Sequence, residues 1–391
     1  MSLAAAGLRG PCPRRPGSAG APASEPLALI GMTKFAEPAR PAQDAATAAE
    51  SGVGVSTARS PGGEAVSREG VAGRVPDFYV VGHQKCGTTA LYLMLRRHPE
   101  IFMPAKKEPK YFAPDLYSRF AVQRETPQSL HTLEGYLALF ADALPEQRVG
   151  EASPQYLRSS VAAARIAELQ PQARIVAILR EPASFLRSFH QQMVSSHVET
   201  EGDLRAAMAL EDARRAGNKI PRGSHHPKSL LYSDHVRYVE QLQRFHAAFP
   251  REQVLVLFHD ELLRDSEANL RKVFRFLAVD DDVSIDTVQT ETLAAVRSHR
   301  LHHFAGAVRS AGRNPKTAGP LARAVNAITP KRLLGGPART VWRRAVYGSP
   351  PKPDQELLLE LRRCFKPEVV AVSEYLGRDL VAQWGYDRLG D

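Results

Sequence analysis

The sequence predicts an α/β fold with a mainly parallel central sheet flanked by helices. The first observation is a set of short, uninterrupted apolar runs at residues 78–81, 174–179 and 253–258. Such runs are typical of strands that are buried on both faces of a parallel sheet. The second observation is that segments with helical apolar spacing follow these runs, so strands and helices alternate along the chain.

Each predicted element is identified by its apolar spacing and by a residue that ends it. The first strand ends at Gly82, and a helix over 88–97 ends at His98-Pro99. Pro182 suits the first turn of a helix over 183–196. Later helices are marked by Val236, Val239, Leu242 and Phe245 before Pro250, by Leu270, Val273, Phe274 and Leu277 with Asp265 or Ser266 as the cap, and by Leu357, Leu358 and Leu361.

Composition divides the chain into two parts. Residues 1–75 are rich in Ala, Gly, Pro and Ser without lasting periodicity, which predicts a disordered leader. Met32 is a candidate alternative start, and an Arg-rich, acid-poor leader is also compatible with a transit peptide. Residues 76–391 are predicted to form the folded domain. Within it, the basic, Gly- and Pro-rich residues 297–350 are predicted to form a long lid or loop region.

Net charge indicates the class of binding partner, and cysteine content indicates the redox compartment of the protein. The formal net charge of +10 favours anionic partners, although many basic proteins are simply soluble. No apolar run reaches the roughly 18 residues of a membrane span, and no apolar stretch follows the N-terminal arginines as in a secretory signal. Cys12, Cys86 and Cys364 share no metal-ligand spacing and suggest no disulfide framework, which favours a reducing cytosol. The Ala-, Arg-, Gly- and Pro-rich composition favours a GC-rich bacterial genome.

A glycine-bounded turn connects the first strand to the first helix. Gly82, His83, Gln84, Lys85, Cys86, Gly87, Thr88 and Thr89 occupy this turn in order. Backbone N–H groups and the positive end of the helix dipole together form an anion site, so the predicted fold is P-loop NTPase-like. The pattern departs from GxxxxGK[ST] because Thr88 follows the second glycine and the lysine is Lys85, inside the loop. This position suits a donor without a γ-phosphate; a plain glycine turn with a solvated lysine is the alternative.

The segment FYVVGHQKCGTTALYLMLRRHPEIFMPAKKEPKYF resembles the 5′-phosphosulfate-binding motif of sulfotransferases that use 3′-phosphoadenosine 5′-phosphosulfate (PAPS). The resemblance is greatest to bacterial members and to heparan-sulfate-type domains, and it runs from about residue 76 to the C-terminus. It implies that Cys86, Gly87, Thr88 and Thr89 line the 5′-phosphosulfate. It also implies that Lys85 stabilises the departing bridging oxygen. Residues 76–391 are accordingly expected to be a sulfotransferase domain.

A second motif supplies the other half of the expected donor site. Arg180 follows the apolar run 174–179, and Ser188 lies about two helical turns later. Ligands in open α/β sheets bind at the carboxyl ends of strands, where an arginine fork suits a terminal phosphate. RIVAILREPASFLRSF is similar to the family's 3′-phosphate motif, which implies this role for Arg180 and Ser188. Many relatives have a second basic residue where this chain has Phe185, and Arg187 is the nearest substitute.

Glu108 is the candidate base. It lies among Lys106, Lys107 and Lys110, which are expected to lower its pKa and keep it ionised. Sulfuryl transfer requires a group that accepts the acceptor's proton, and the resemblance implies that Glu108 is that group. A solvated charge cluster is the alternative interpretation.

The segment GEASPQYL at 150–157 resembles another family segment near the acceptor. Some relatives have lysine at the position of Ala152. Glu151 and Ser153 are candidate contacts to acceptor or cofactor, although a turn before a helix explains Ser153-Pro154 equally well.

The expected activity is transfer of a sulfuryl group from PAPS, as co-substrate and without a metal, to a hydroxyl or amine. A carbohydrate, a glycolipid and a small molecule all fit as acceptor, and the oligomeric state is open. The histidine pairs and clusters at 225–226 and 299–303 lack zinc-binding spacing. A P-loop kinase or NTPase is the first alternative, supported by Asp260 or Glu261 after an apolar strand as a mimic of a Walker B acid. A non-catalytic binder of anions or nucleic acid is the second, but no standard nucleic-acid motif is present.

Overall fold

A computed structural model of the protein describes residues 73–117, 128–221, 224, 227–288, 295–296, 347–348 and 354–389. All of them belong to one compact unit, residues 62–391. The predicted leader, except for residues 73–75, lies outside the described residues. So do residues 297–346, which cover most of the predicted lid region.

Five parallel strands form the central sheet in the order β2-β3-β1-β4-β5. The strands are β1 Phe78–Gly82, β2 Ile101–Phe102, β3 Arg148–Ala152, β4 Arg174–Leu179 and β5 Val254–Phe258, and a separate antiparallel pair joins β6 Ala295–Val296 to β7 Tyr347–Gly348. Every residue of β1 is buried, because this strand lies at the centre of the sheet and is covered on both faces. The α/β prediction is confirmed, and the loop after the central strand gives the P-loop NTPase-like arrangement.

Helices surround the sheet. They are α1 Thr88–Leu95, α2 Leu133–Leu137, α3 Ala162–Leu169, α4 Pro182–Ser195, α5 Leu204–Ala209, α6 Glu211–Arg215, α7 Tyr232–His235, α8 Tyr238–Ala248, α9 His259–Arg264, α10 Ser266–Leu277, α11 Gln355–Leu376 and α12 Leu380–Gln383. Short 3₁₀ turns lie at Pro114–Leu116, Gln128–His131, Ala138–Phe140, Pro154–Leu157, Pro227–Leu230 and Arg251–Gln253. No helix among these described elements is both long and apolar enough to cross a membrane.

The helix ends follow the local chemistry that the sequence indicated. Pro182 occupies the first turn of α4, where its missing N–H costs nothing, and the Glu181 carboxylate accepts from the N–H groups of Ala183 and Ser184. Asp265, one of the two predicted caps, accepts from Ala268 N at the start of α10. The predicted helix around Val236 is instead divided into α7 and α8.

Two strands of the sheet were not predicted. β2 has only two residues, and β3 has the sequence RVGEA, which contains a glycine and two charged residues instead of an apolar run. Gly150 is required there, because a Cβ at this position would lie 2.1 Å from Phe78 Cζ. Tertiary packing therefore selects β3 against its own local sequence pattern.

Candidate active site

Three residues with positive φ shape the loop between β1 and α1. Gly87, at the N-cap of α1, has φ 88°, and Lys85 has φ 67°. Gly82 has φ 143°, and a Cβ there would lie 2.5 Å from the carbonyl oxygen of Ile178 on β4. Only glycine therefore allows the loop to leave the sheet at this point. The resulting turn directs the first N–H groups of α1 toward the carboxyl edge of the sheet.

Three basic side chains meet at this edge. Arg180 Nη1 donates to the Lys85 carbonyl oxygen at 2.7 Å, which ties the end of β4 to the loop. His259, the first residue of α9, lies beside Gly87, since a Cβ on that glycine would be 3.4 Å from His259 Cδ2. No carboxylate forms an ion pair with Lys85 or Arg180 in the described part of the chain. Lys85 and Arg180 therefore form a cationic pair without an ion-paired carboxylate in the described residues, and His259 lies beside them.

The pKa values of Lys85 and His259 reflect burial and the positive charges nearby. Burial lowers the pKa of the Lys85 ammonium, and the neighbouring Arg180 charge lowers it further. Burial, together with Arg180 and Lys85, lowers the pKa of His259 to about 4. A bound anion would reverse the effect of the like charges. His259 was missed at the sequence level, although its place directly after an apolar strand puts it at the same edge as Arg180.

Inside the loop, His83 and Cys86 are structural. His83 Nε2 and Gln241 Oε1 are 2.8 Å apart, which joins the loop to α8, and burial lowers the pKa of His83 to about 3. The His83 ring lies against Phe185, with centroids 5.1 Å apart. Cys86 is a free, buried thiol whose pKa burial raises to about 12, and its N–H donates to His83 O. Its expected contribution is therefore limited to loop shape.

The remaining predicted donor-site residues lie on α1 and α4. Thr88 and Thr89 are the first two residues of α1, Thr88 buried and Thr89 exposed. Ser188 is half-buried on α4, and its hydroxyl has no hydrogen-bond partner within the described ranges. Phe185 is fully buried, so this position belongs to the core, while Arg187 lies close enough to lower the pKa of Arg180.

Glu108 is held in an ordered network. Its Oε1 is 2.7 Å from Lys107 Nζ, and its Oε2 accepts from Gln155 Nε2 at 3.1 Å. Burial opposes ionisation, but Lys107, Gln155 and Lys110 together hold the pKa of Glu108 below its usual value. The expectation of an ionised carboxylate among lysines is confirmed in direction. Two of the three lysines carry the effect, and Gln155 is a partner that the sequence did not indicate.

The backbone around Glu108 is docked on the segment after β3. Glu108 and Lys110 have φ of 59° and 64°, an uncommon conformation for residues other than glycine. Glu108 N donates to Ala152 O at 3.2 Å, and Lys110 N donates to Ser153 Oγ at 3.2 Å. Tertiary hydrogen bonds therefore hold a turn that local preference disfavours. Ser153 acts here as a support for the Glu108 turn.

The two acids that supported the kinase alternative, Asp260 and Glu261, are bound to the C-terminal segment. Asp260 accepts from Trp384 Nε1 at 3.1 Å and from Gln383 Nε2 at 2.9 Å, and Glu261 pairs with Arg378. Both carboxylates therefore anchor the C-terminal segment. A Walker B role requires a carboxylate that is directed at the phosphate site, which neither provides.

A polar cavity of about 550 Å³ lies between α8 and the 3₁₀ turns at Pro114–Leu116 and Pro227–Leu230. Six of its lining residues are cationic and three are acidic; the cations are Arg158, Arg214, Arg215, Lys228, Arg237 and Arg244, and the acids are Asp115, Asp234 and Glu240. Arg158 Nη1 donates to the Lys228 carbonyl oxygen at 2.8 Å and has no carboxylate ion pair in the described residues. Gln241, the partner of His83, lies on the same wall.

The histidine clusters at 225–226 and 299–303 lie outside the described residues. Within the described ranges, no group of three or more His, Cys, Asp or Glu side chains is arranged to hold a metal ion.

A parallel α/β sheet with a phosphate loop after its central strand, and with the loop lysine displaced from the ATP-type position, defines a class of anion-binding group-transfer folds. Within that class, the model of the sulfotransferase family matches residues 76–282, which is more than half of the chain. The chain belongs to the sulfotransferase family.

Individual relatives agree with this assignment. The human bifunctional heparan sulfate N-deacetylase/N-sulfotransferase 3 is 28% identical over 217 residues, covering 54% of this chain and 23% of that protein. The mouse heparan sulfate glucosamine 3-O-sulfotransferase 3A1 is 26% identical over 236 residues, covering 60% and 54%. This chain thus spans between about a quarter and a half of these relatives. Among solved structures, a sulfotransferase from Alicyclobacillus acidocaldarius is 27% identical, covers 69% of this chain and 99% of its own, and has a TM-score of 0.49.

Proposed function

We propose that this protein transfers a sulfuryl group from PAPS to a hydroxyl or amine of an acceptor. The observation that carries the proposal is the pair of Lys85 and Arg180, which have no ion-paired carboxylate in the described residues and lie with His259 at an anion-binding loop, in a member of the sulfotransferase family. Buried charges without partners are costly, so such a pair is retained where a ligand supplies the opposite charge. PAPS carries anionic groups at both ends of its ribose.

Backbone N–H groups and polar side chains around the loop would bind PAPS. The first N–H groups of α1, with Thr88 and Thr89, would bind the 5′-phosphosulfate. Arg180 and Ser188 would bind the 3′-phosphate, because the guanidinium fork and the uncommitted hydroxyl suit a terminal phosphate. No metal is required in this scheme, since the cationic side chains and helix dipole offset the donor charge.

The reaction would be a single in-line displacement. The acceptor oxygen or nitrogen forms a bond to sulfur as the bond from sulfur to the bridging 5′-phosphate oxygen breaks, which leaves 3′-phosphoadenosine 5′-phosphate (PAP). Glu108, which is ionised, would take the acceptor's proton. Lys85 and the loop N–H groups would stabilise the charge that grows on the departing oxygen. Positioning of both substrates supplies much of the remaining rate.

The acceptor is proposed to be a carbohydrate that carries negative charge close to the reacting group. Two relatives are named for action on heparan sulfate, a polyanionic sugar chain. The cavity with Arg158 and Lys228 on its wall provides basic groups of the kind that bind such a chain. Arg158 follows Gln155, the partner of Glu108, by one helical turn, so the cavity and the proposed base share a segment.

A cytosolic location and a bacterial origin remain predictions from composition. They are supported by the residue usage of the chain. Fractionation of the native cells, with the protein followed by immunoblot, tests the first.

Calorimetric titration tests the donor class first. The purified chain is titrated with PAP, with adenosine 5′-phosphate, and with ATP in the presence and absence of Mg²⁺. We expect tight binding of PAP and at least about tenfold weaker binding of adenosine 5′-phosphate, because the contacts of Arg180 with the 3′-phosphate are lost. Binding of Mg²⁺-ATP with indifference to PAP would replace this proposal with the kinase alternative. Transfer from PAPS to heparan-type oligosaccharides, against neutral oligosaccharides of equal length, then tests the acceptor.

A further inference from the structure

A fully buried carboxylate lies in the sheet directly behind the proposed base. Glu151 on β3 has no exposed surface and lies beside Tyr79 in the register of β1 and β3. Burial of a carboxylate is costly, and hydrogen bonds offset only part of that cost here, because Glu151 Oε1 has no hydrogen-bond partner in the described residues. Its Oε2 accepts from the hydroxyls of Tyr136 at 2.8 Å and of Tyr156 at 3.1 Å. Glu151 is absent from the proposed mechanism, which leaves its presence in the sheet unexplained.

Tyr156 connects this carboxylate to the turn that carries Glu108. Its hydroxyl donates to Glu151 and accepts from Phe112 N at 3.4 Å. Glu108 N donates to Ala152 O and Lys110 N donates to Ser153 Oγ, so every second amide of residues 108–112 is bound to the end of β3 or to the segment after it. Because Glu108 and Lys110 are left-handed, this docking is what keeps the turn in place.

We propose that Glu151 is a positioning residue for Glu108: its carboxylate takes the Tyr156 hydroxyl hydrogen, so that the Tyr156 oxygen is free to accept from Phe112 N–H. The inference rests on the proposed function, in which Glu108 is the base. A hydroxyl has one hydrogen and can direct it at only one acceptor. A neutral carboxyl or an amide at position 151 adds a hydrogen-bond donor beside Tyr156. The Tyr156 hydroxyl hydrogen is then no longer directed at residue 151 by a carboxylate that can only accept.

The charge state of Glu151 makes the positioning sensitive to pH. Burial raises its pKa to about 7; the hydroxyls around it oppose that shift, and the Glu108 charge adds to it. The titratable groups that face it are Tyr79 of β1, Tyr136 of α2, Tyr156 of the 3₁₀ turn and Glu108. Glu151 is therefore ionised above about pH 7 and gains its proton below it. The pKa of Glu108 is lowered, so Glu108 itself remains ionised through this range.

Hydrogen–deuterium exchange on the full chain tests the positioning directly. Protection factors of peptides covering 106–113 are compared in wild type, Glu151→Gln, Tyr156→Phe and Tyr136→Phe at one pH above 7. Tyr136→Phe is the matched control, because it also removes a hydroxyl from Glu151 but leaves the Phe112 contact intact. We expect protection to fall by about tenfold in Glu151→Gln and Tyr156→Phe, a change of about 1.4 kcal/mol, and to stay near the wild-type value in Tyr136→Phe. Equal protection in all four proteins would overturn the proposal.

Wild-type protein gives a second readout that does not depend on any variant folding. Between pH 8 and pH 6, protection of 106–113 is expected to fall relative to protection of α8, and constant relative protection would contradict the positioning. In turnover assays of the wild type, kcat is expected to decrease as the pH is lowered through about 7, where Glu151 gains its proton. In Glu151→Gln this pH dependence of kcat should be absent, and the Kd for PAP should be unchanged. A purely structural Glu151 would change the melting temperature and leave the pH profile in place. Failure of the wild type to bind PAP would refute the proposed function. It would not affect the exchange result, because hydrogen exchange is measured without ligand.

Discussion

The two halves of the site differ in how their charges are balanced. The proposed donor half comprises residues 82–89, Arg180 and His259, and the proposed acceptor half comprises residues 108–112 and 150–158. In the donor half, Lys85, Arg180 and His259 are all basic, and burial and a nearby positive charge lower the pKa of each. In the acceptor half, the charged Glu108 is matched by Lys107 and by Gln155. The two halves meet at the same edge of one sheet.

This difference indicates which half requires a ligand to become electrostatically balanced. The donor half has an excess of positive charge that an anionic nucleotide would neutralise. The same charges would therefore provide much of the binding energy for that nucleotide. In the acceptor half, Glu108 has its partners within the protein, so the position of this carboxylate is set before any substrate arrives. Substitutions should therefore affect donor binding and turnover together in the donor half, and turnover alone at Glu108.

The largest expected effects come from one substitution in each half. Glu108→Gln should lower kcat by about 10²–10⁴, because a general base is lost, with the Kd for PAP unchanged. Lys85→Ala should lower kcat by about 10²–10³, because a charge that stabilises the leaving oxygen is lost, and should also weaken PAP binding. Steady-state kinetics and calorimetry measure both quantities. Lys106→Ala, on the exposed lysine near Glu108, is the control that should match wild type. Near-normal turnover in either variant would refute its assigned role, and an altered Kd in Glu108→Gln would erase the contrast between the halves.

A smaller effect is expected from Arg180→Ala. Removing a charge-assisted contact to phosphate costs about 1.5–3 kcal/mol, so the Kd for PAP should rise by about ten- to a hundredfold. Adenosine 5′-phosphate, which lacks the 3′-phosphate, should lose less affinity than PAP in this variant. Equal losses for the two nucleotides would mean that Arg180 acts only through its bond to the Lys85 carbonyl.

The smallest effect is a proton taken up with the donor. The pKa of His259 is about 4 in the free protein, and a phosphate beside it should raise that value. Near pH 5, wild type should therefore take up more protons on binding PAP than His259→Gln does, whereas the two should agree at pH 8. Calorimetry in two buffers with different ionisation enthalpies measures the uptake, and the variant subtracts the protons of the nucleotide itself. Identical uptake at pH 5 would place His259 outside the range of the bound phosphates.

Much of the donor half could be predicted from the sequence because it is local in the chain. Gly82, Lys85, Gly87 and Thr88 lie within one strand-loop-helix unit, where spacing alone fixes their relation. Arg180 was expected at the carboxyl end of a parallel strand, and the structure joins it to the loop. The ionised state of Glu108 followed from the neighbouring lysines. The assigned roles of these residues stay predictions until they are measured.

Features that depend on distant segments could not be predicted in the same way. β3 has no strand-like apolar pattern and is recognised only beside β1. Asp260 had the sequence context of a phosphate-site acid, but contacts with Gln383 and Trp384 more than a hundred residues later turn it toward the C-terminus. The contact from Gln155 to Glu108 spans 47 positions and has no local signature.

The sequence by itself determined the strand-helix alternation, the anion-binding loop and the basic character of the donor half, because these depend on residue order and on the fixed geometry of short elements. The tertiary structure decided which charges are matched. It placed Gln155 against Glu108, left Lys85 and Arg180 without an ion-paired carboxylate in the described residues, and buried Glu151 among tyrosines. The physical reason is that the energy of a charge depends on its solvent exposure and its neighbours in space, which chain order does not specify.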